Sequence, residues 1–153
     1  MPELAFQNPV FCAYAIAAAL MGLKLMGQGW ITVAQMFKVG GGFLNPEDAA
    51  KGAANPKPRE GQLEPHEPVE RSRRLHLNDL ENIPAFWAIG LLFVLTGPDL
   101  LLAQIFFYGF VATRVLHFWA YSTAKSHEVR ATFFTIGSLI IMAMAVMVLL
   151  AAF

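Results

Sequence analysis

This chain of 153 residues predicts an all-α membrane protein, a four-transmembrane-helix bundle, and three features carry the prediction. Hydrophobic residues make up 56% of it. Its apolar runs are too long, and too free of polar residues at every third or fourth position, for the helices of a soluble bundle. Its charges, 11 Lys and Arg against 11 Asp and Glu, gather mostly in the middle third and leave the rest nearly uncharged. One integral-membrane domain over residues 1–153 is the expected organisation.

The first span runs from about Val10 to Phe37, and no basic segment precedes it, so it reads as a permanent anchor rather than a cleaved signal. A hydrophilic loop over about 38–70 follows, opening with Gly40-Gly41-Gly42 and holding most of the prolines. The second span, about Arg71 to Thr96, ends at Gly97-Pro98-Asp99, where glycine supplies a tight turn and proline cannot continue a helix. Leu100 to Tyr121 forms the third span and about Val129 to Phe153 the fourth. All exceed the roughly 20 residues that cross a hydrocarbon core of about 30 Å. Lys38, Lys51, Lys57, Arg59, Arg71, Arg73 and Arg74 lie in or beside the long loop, and Lys125 and Arg130 at the last connection. The positive-inside rule therefore turns both connections to the cytoplasm and both termini away from it.

The run from Glu70 to Glu81 leads charge directly into an apolar segment. Ionisable residues in a membrane helix must pair or face water, which makes them candidate functional groups. Arg71, Arg74, Asn78 and Glu81 follow one another at intervals of three and four, along one helix face. This phase leaves Leu75, Leu77 and Leu80 for packing and sets Arg71 and Arg73 near the headgroups. Arg114, His117 and Tyr121 share the same spacing late in the third span, and Arg130 opens the fourth, near the positive end of its dipole. The predicted mouth suits a small ligand carrying several carboxylates and an ammonium group. Arginine forks hold carboxylates, and Glu81 would pair with the amine. Glutathione has that charge pattern. A free thiol ionises near pH 8.5, and a nearby cation lowers that value; Arg130, reaching in from a separate helix, is the candidate cation. A hydrophobic electrophile would arrive from the lipid.

Plainer roles stand beside these. Glu81 would form a structural ion pair with Arg74 or Arg114, Tyr121 would belong to an interfacial aromatic belt, and Arg114 divides between helix packing and ligand contact. Asn45-Pro46-Glu47-Asp48 reads as an ordinary helix start, with Asp48 also a catalytic neighbour of Arg130. Lys24 lies too deep in the first span to snorkel and is expected to pair within the bundle. The formal charge of zero gives no basic patch for nucleic acid. Cys12 is the only cysteine, which excludes an intrachain disulfide and a cysteine metal cluster; no metal is expected.

Taken together, Phe43-Leu44-Asn45-Pro46-Glu47-Asp48, Val69-Glu70-Arg71, Arg74-Leu75-His76-Leu77-Asn78-Asp79-Leu80-Glu81-Asn82-Ile83, Gly97-Pro98-Asp99, Arg114-Val115-Leu116-His117 and Arg130-Ala131 resemble, in order, the MAPEG family of membrane-associated proteins of eicosanoid and glutathione metabolism. The likeness is strongest to its microsomal glutathione transferase branch. It implies a homotrimer of four-helix subunits that binds glutathione between subunits near the cytoplasmic face. By position it makes Arg74, Asn78, Glu81, His117, Tyr121 and Arg130 glutathione contacts, and Arg130 the arginine that stabilises the thiolate. Leu77, Ala131 and Phe134 stand where the prostaglandin E synthase branch has arginine, serine and tyrosine. They favour transferase and glutathione-dependent peroxidase chemistry over isomerisation of a lipid peroxide. Lys38 is a weak substitute for an arginine that the family places late in the first span. A non-catalytic lipid-presenting scaffold is the reading from another class; it has no use for a thiolate site.

Overall fold

In the computed structural model, which describes residues 4–153, the chain is helical, with no strand among the described residues. Helix α1 spans Pro9–Val39, α2 Pro46–Ala49, α3 Glu67–Leu95, α4 Leu100–Ser122 and α5 His127–Ala152. The four long helices match the expected spans within a few residues. The short α2 begins at the expected Asn45-Pro46 signal, although Asn45 uses its amide to donate to the Asp48 carboxylate (3.1 Å) rather than to cap the backbone.

Local chemistry explains the boundaries. Asn8 accepts a hydrogen bond from the Val10 amide at the start of α1, with Pro9 in the first turn, where a missing N–H costs nothing. At the other end Gly40 takes the left-handed conformation (φ 63°), and the Gly40 and Gly41 amides return to the Phe37 and Met36 carbonyls. Asp99 caps α4 by accepting from the Leu101 and Leu102 amides. Pro84 sits inside α3 on its exposed side; it cannot donate to the carbonyl four residues earlier, that of Leu80.

α1 packs on α3 and α4, and α5 packs on the same two helices, so α1 and α5 occupy opposite corners. Aromatic rings fill the centre. Phe86 of α3 stacks on Phe110 of α4 with centroids 4.2 Å apart and meets Phe107 edge-on at 6.1 Å. Tyr14 packs edge-on against Phe107 and donates its hydroxyl to the Trp87 carbonyl, and the Trp87 indole donates to the Ala18 carbonyl. These two bonds satisfy polar groups that hydrocarbon would leave unpaired.

Outside this core the surface is apolar: Leu23, Trp30, Leu139 and Leu150 are all exposed, and α5 buries only Gly137 and Met144. α1, α4 and α5 are each long and apolar enough to cross a membrane. α3 is as long, at 29 residues, but carries its charges in its first half.

Truncating Phe86 to Ala removes a ring with no exposed surface, so it should cost about 3–5 kcal/mol, whereas Leu139→Ala on the outer face of α5 should stay within about 0.5 kcal/mol. Thermal unfolding of the two variants in detergent checks the contrast.

Candidate functional site

The charged first half of α3 divides into three faces. Val69, Ser72, Leu75, Asp79, Asn82, Ile83 and Phe86 point into the bundle. Arg74, Asn78 and Glu81 share a face turned away from it, as their spacing predicts: Arg74 and Glu81 are exposed and Asn78 is half-buried. Leu77 and Leu80, expected to pack, are instead exposed at 59% and 48%. Helix phase carries them past the core onto a third face, and apolarity alone does not distinguish an inward face from an outward one in a membrane helix.

The inward face carries a buried ion pair. Lys24 of α1 donates to Asp79 of α3, whose side chain has no exposed surface. The expectation that Lys24 pairs within the bundle is met, and Asp79 is the functional-depth residue that spacing arguments passed over. A signal was available, since the only acids inside the four spans are Asp79 and Glu81, and only Asp79 falls in phase with Leu75, Ile83 and Phe86.

Next to this pair lies Arg114 of α4, fully buried. Its guanidinium donates to Asn78 Oδ1 (3.1 Å) and to the Phe133 carbonyl of α5 (3.2 Å), joining three helices. Gly137 makes the space: a Cβ there would stand 2.9 Å from Thr113 Oγ1 and 3.0 Å from Arg114 Nη2. Of the two roles expected for Arg114, the structure gives it helix packing. By accepting from Arg114, the Asn78 oxygen is turned inward and its amide N–H groups outward.

Toward the loop end of α4, the His117 ring lies 4.9 Å from that of Tyr121, and the Arg130 guanidinium sits over the Tyr121 ring, 4.8 Å from its centroid. His117 is buried, and its Nδ1 has no partner; the buried Nε of Arg130 has none either. Arg130 stands in the first turn of α5, where exposed N–H groups and the helix dipole already make the surroundings positive. A cation there is unfavourable unless something offsets it. The Tyr121 ring and the Glu128 carboxylate in the same turn supply part of that offset, and a bound anion would add to it.

The other expected residues lie on α3 and around the loop. Arg74 donates to Glu67 (2.9 Å), as does Arg71 (3.0 Å). Glu81 makes no ion pair with Arg74 or Arg114. Arg73 pairs with Glu70 and donates to the Gly42 carbonyl (2.6 Å), tying the loop to α3. Asp48 lies apart from Arg130: with Asn45, Arg73, His76, Leu77 and Leu80 it lines a groove of about 400 Å³ between α1 and α3. α5 makes no contact with α1 or α2, so one chain does not bring Asp48 and Arg130 together. The long loop is held by Gln62, whose amide exchanges hydrogen bonds with Asn55 and donates to the Gly40 carbonyl. No group of three or more His, Cys, Asp or Glu converges as a metal site among the described residues.

With this geometry in view, comparison with known proteins decides the family, because the MAPEG family model matches residues 14–150. The chain belongs to the MAPEG family. It is similar to microsomal glutathione S-transferase 1 of Rattus norvegicus, with 41% identity over 140 residues, covering 90% of this chain and 88% of the relative. Against microsomal glutathione S-transferase 1 of Homo sapiens the identity is 38% over the same coverage. Prostaglandin E synthase of Homo sapiens is 30% identical over 147 residues, covering 96% of this chain and 93% of the relative. As a MAPEG protein with three helices long and apolar enough to cross a membrane, the chain is a membrane protein.

Donation from Arg74 and then from Arg71 holds the Glu67 carboxyl below the usual glutamate range. That clasp is present at neutral pH and releases only as pH falls through the lowered value. Carboxyl-carbon NMR of the glutamates should show Glu67 titrating at lower pH than in Arg74→Ala, in which it should move toward the ordinary range.

Proposed function

We propose that this MAPEG protein is a membrane-bound glutathione transferase that also reduces lipid hydroperoxides with glutathione, acting through a thiolate stabilised by Arg130. The observation that carries the reading is the seating of Arg130 on the Tyr121 ring in the first turn of α5, where its buried Nε has no hydrogen-bond partner. The names of the transferase relatives support the substrate. All four long helices cross the membrane in this reading, with the loop 38–70 and the active site facing the cytoplasm.

Glutathione would lie along the outward face of α3 and the first turn of α5. Arg74 takes a carboxylate, the outward N–H groups of Asn78 donate to the peptide, and Glu81 holds the ammonium group. His117 and Tyr121 wall the thiol end. Arg74 must leave Glu67 to do this, an exchange of one exposed carboxylate for another. Asp48 joins the site only from a second copy, since it faces a different side of α3; that supports a homotrimer with glutathione between subunits.

In the reaction, the thiol releases its proton to water as Arg130 compensates the charge on sulfur. The thiolate then attacks an electrophilic carbon that enters from the lipid, forming the C–S bond and expelling the leaving group. With a hydroperoxide it attacks the terminal oxygen. The O–O bond breaks, the departing alkoxide takes a proton from water and leaves as the alcohol, and a second glutathione converts the sulfenic acid to disulfide and water.

Lipid-peroxide isomerisation is the second reading, favoured by the prostaglandin E synthase relatives. It consumes no glutathione, so product analysis with an endoperoxide distinguishes it. A lipid-presenting scaffold would bind no glutathione at all.

Mixing the protein with glutathione in a stopped-flow instrument should produce thiolate absorbance. Arg130→Ala should abolish that signal and lower conjugation roughly 100- to 1,000-fold, as expected for the loss of one donor at a developing charge. An unchanged thiolate signal in the variant removes Arg130 from this role.

A further inference from the structure

Lys24, mostly buried, and Arg114, fully buried, are two cations inside the bundle that share one buried anion, Asp79. Arg114 spends its hydrogen bonds on neutral oxygens, those of Asn78 and the Phe133 carbonyl. The layer therefore holds one surplus positive charge inside the bundle. His117 lies between it and the end of α4, with Arg114, Lys24 and Arg130 all acting on its ring. From Arg114 to Tyr121, the seat of Arg130, is seven residues, or about 10 Å of helix rise.

We infer that the Lys24–Asp79–Arg114 layer sets the acidity of the thiol bound at Arg130, with Lys24 and Asp79 acting as positioning residues of charge rather than as ligands. The inference rests on the glutathione reading above. Charge in the exposed part of the cleft is screened by water and salt, whereas charge inside the bundle is not. At an effective dielectric constant of about 20, one unit charge between about 10 and 15 Å away, the reach of a layer that extends from Arg114 to the helices beyond it, moves an ionisation by roughly one pH unit. The layer thus supplies a sizeable share of the stabilisation that Arg130 begins, and it does so without touching the substrate.

Other ionisable groups also face the thiol position: Arg74 and Glu81 from α3, His117 and Tyr121 from α4, and Glu128 beside Arg130 on α5, whereas His76 lies on the α1 side of α3. They are common to every variant below and cancel from the comparison. Only the charge of the buried layer changes.

The experiment is a pH titration of thiolate absorbance on the full chain in detergent, with binding of S-methyl glutathione measured in parallel. Lys24→Met leaves Asp79 against Arg114 and makes the layer neutral; the midpoint should rise by about one pH unit, a tenfold loss of thiolate below it. Lys24→Met with Asp79→Asn restores the single surplus charge, and its midpoint should return to that of the wild type although both partners are gone. Replacing a buried ion pair by neutral side chains of similar size costs little stability, so this double variant should fold. Lys24→Glu with Asp79→Asn makes the layer neutral with the anion moved to α1, and it should titrate like Lys24→Met. It reads the same charge if Lys24→Met does not fold.

A layer that is merely structural would disturb the double variants alike, whatever their charge. A neutral-layer variant with the wild-type midpoint, or a Lys24→Met/Asp79→Asn chain with a raised one, overturns the inference while leaving the proposed function intact. A wild-type protein that neither binds S-methyl glutathione nor forms a thiolate overturns the proposed function itself.

Discussion

Placing a lysine and an arginine inside a membrane bundle is expensive, and the helices of this protein are arranged around the groups that make it tolerable. Each buried ion costs several kcal/mol that only close partners recover. Lys24 recovers its share from Asp79, across 55 residues of sequence, and Arg114 from an amide oxygen and a backbone carbonyl on two further helices. A slide of α1 against α3 by a single turn would leave both Lys24 and Asp79 unpaired in hydrocarbon. Aromatic packing around Phe86 and Phe107 supplies cohesion, but apolar contacts between helices surrounded by lipid tolerate several registers. The ion pair selects one. Through Arg114 that choice passes to Asn78 and to the start of α5, and so to the depth at which Arg130 stands.

The same arrangement separates what holds the bundle together from what is left for a ligand. On α3, Asp79 is spent inward, whereas Glu81 is exposed on another face with Arg74, whose only partner is the exposed Glu67, and Asn78, which gives its oxygen to Arg114. On α4, Arg114 is spent on the backbone of α5, and His117 keeps a ring nitrogen unpaired. Within one residue type, then, burial and partner decide the role. Arg114 is a bolt because it has carbonyl acceptors in reach, whereas Arg130 has an aromatic ring and an Nε without a partner.

Much of this was legible in the amino acids. Long apolar runs, Asn8-Pro9, Gly40, Asn45-Pro46 and Asp99 mark the helix limits, because caps and chain-breaking residues act locally. The phase of Arg74, Asn78 and Glu81 was legible too, since 3.6-residue periodicity does not depend on context. What escaped was information that exists only between helices. Leu77 and Leu80 read as packing residues because lipid and core both accept leucine. The partner of Lys24 and the assignment of Arg114 required knowing which helices are neighbours. The separation of Asp48 from Arg130 follows from a bundle order, α1 opposite α5, that no local signal encodes.

Pro84 adds a measure of depth. By withholding an N–H it leaves the Leu80 carbonyl without its helical donor, on the side of α3 where Leu77, Leu80 and Glu81 are exposed. A carbonyl left without a donor among lipid tails would be costly, so this side of α3 favours water or a polar partner near Leu80. The proline thereby acts as a waterline: above it α3 carries all of its charges, and below it, from Phe86 to Leu95, it carries none.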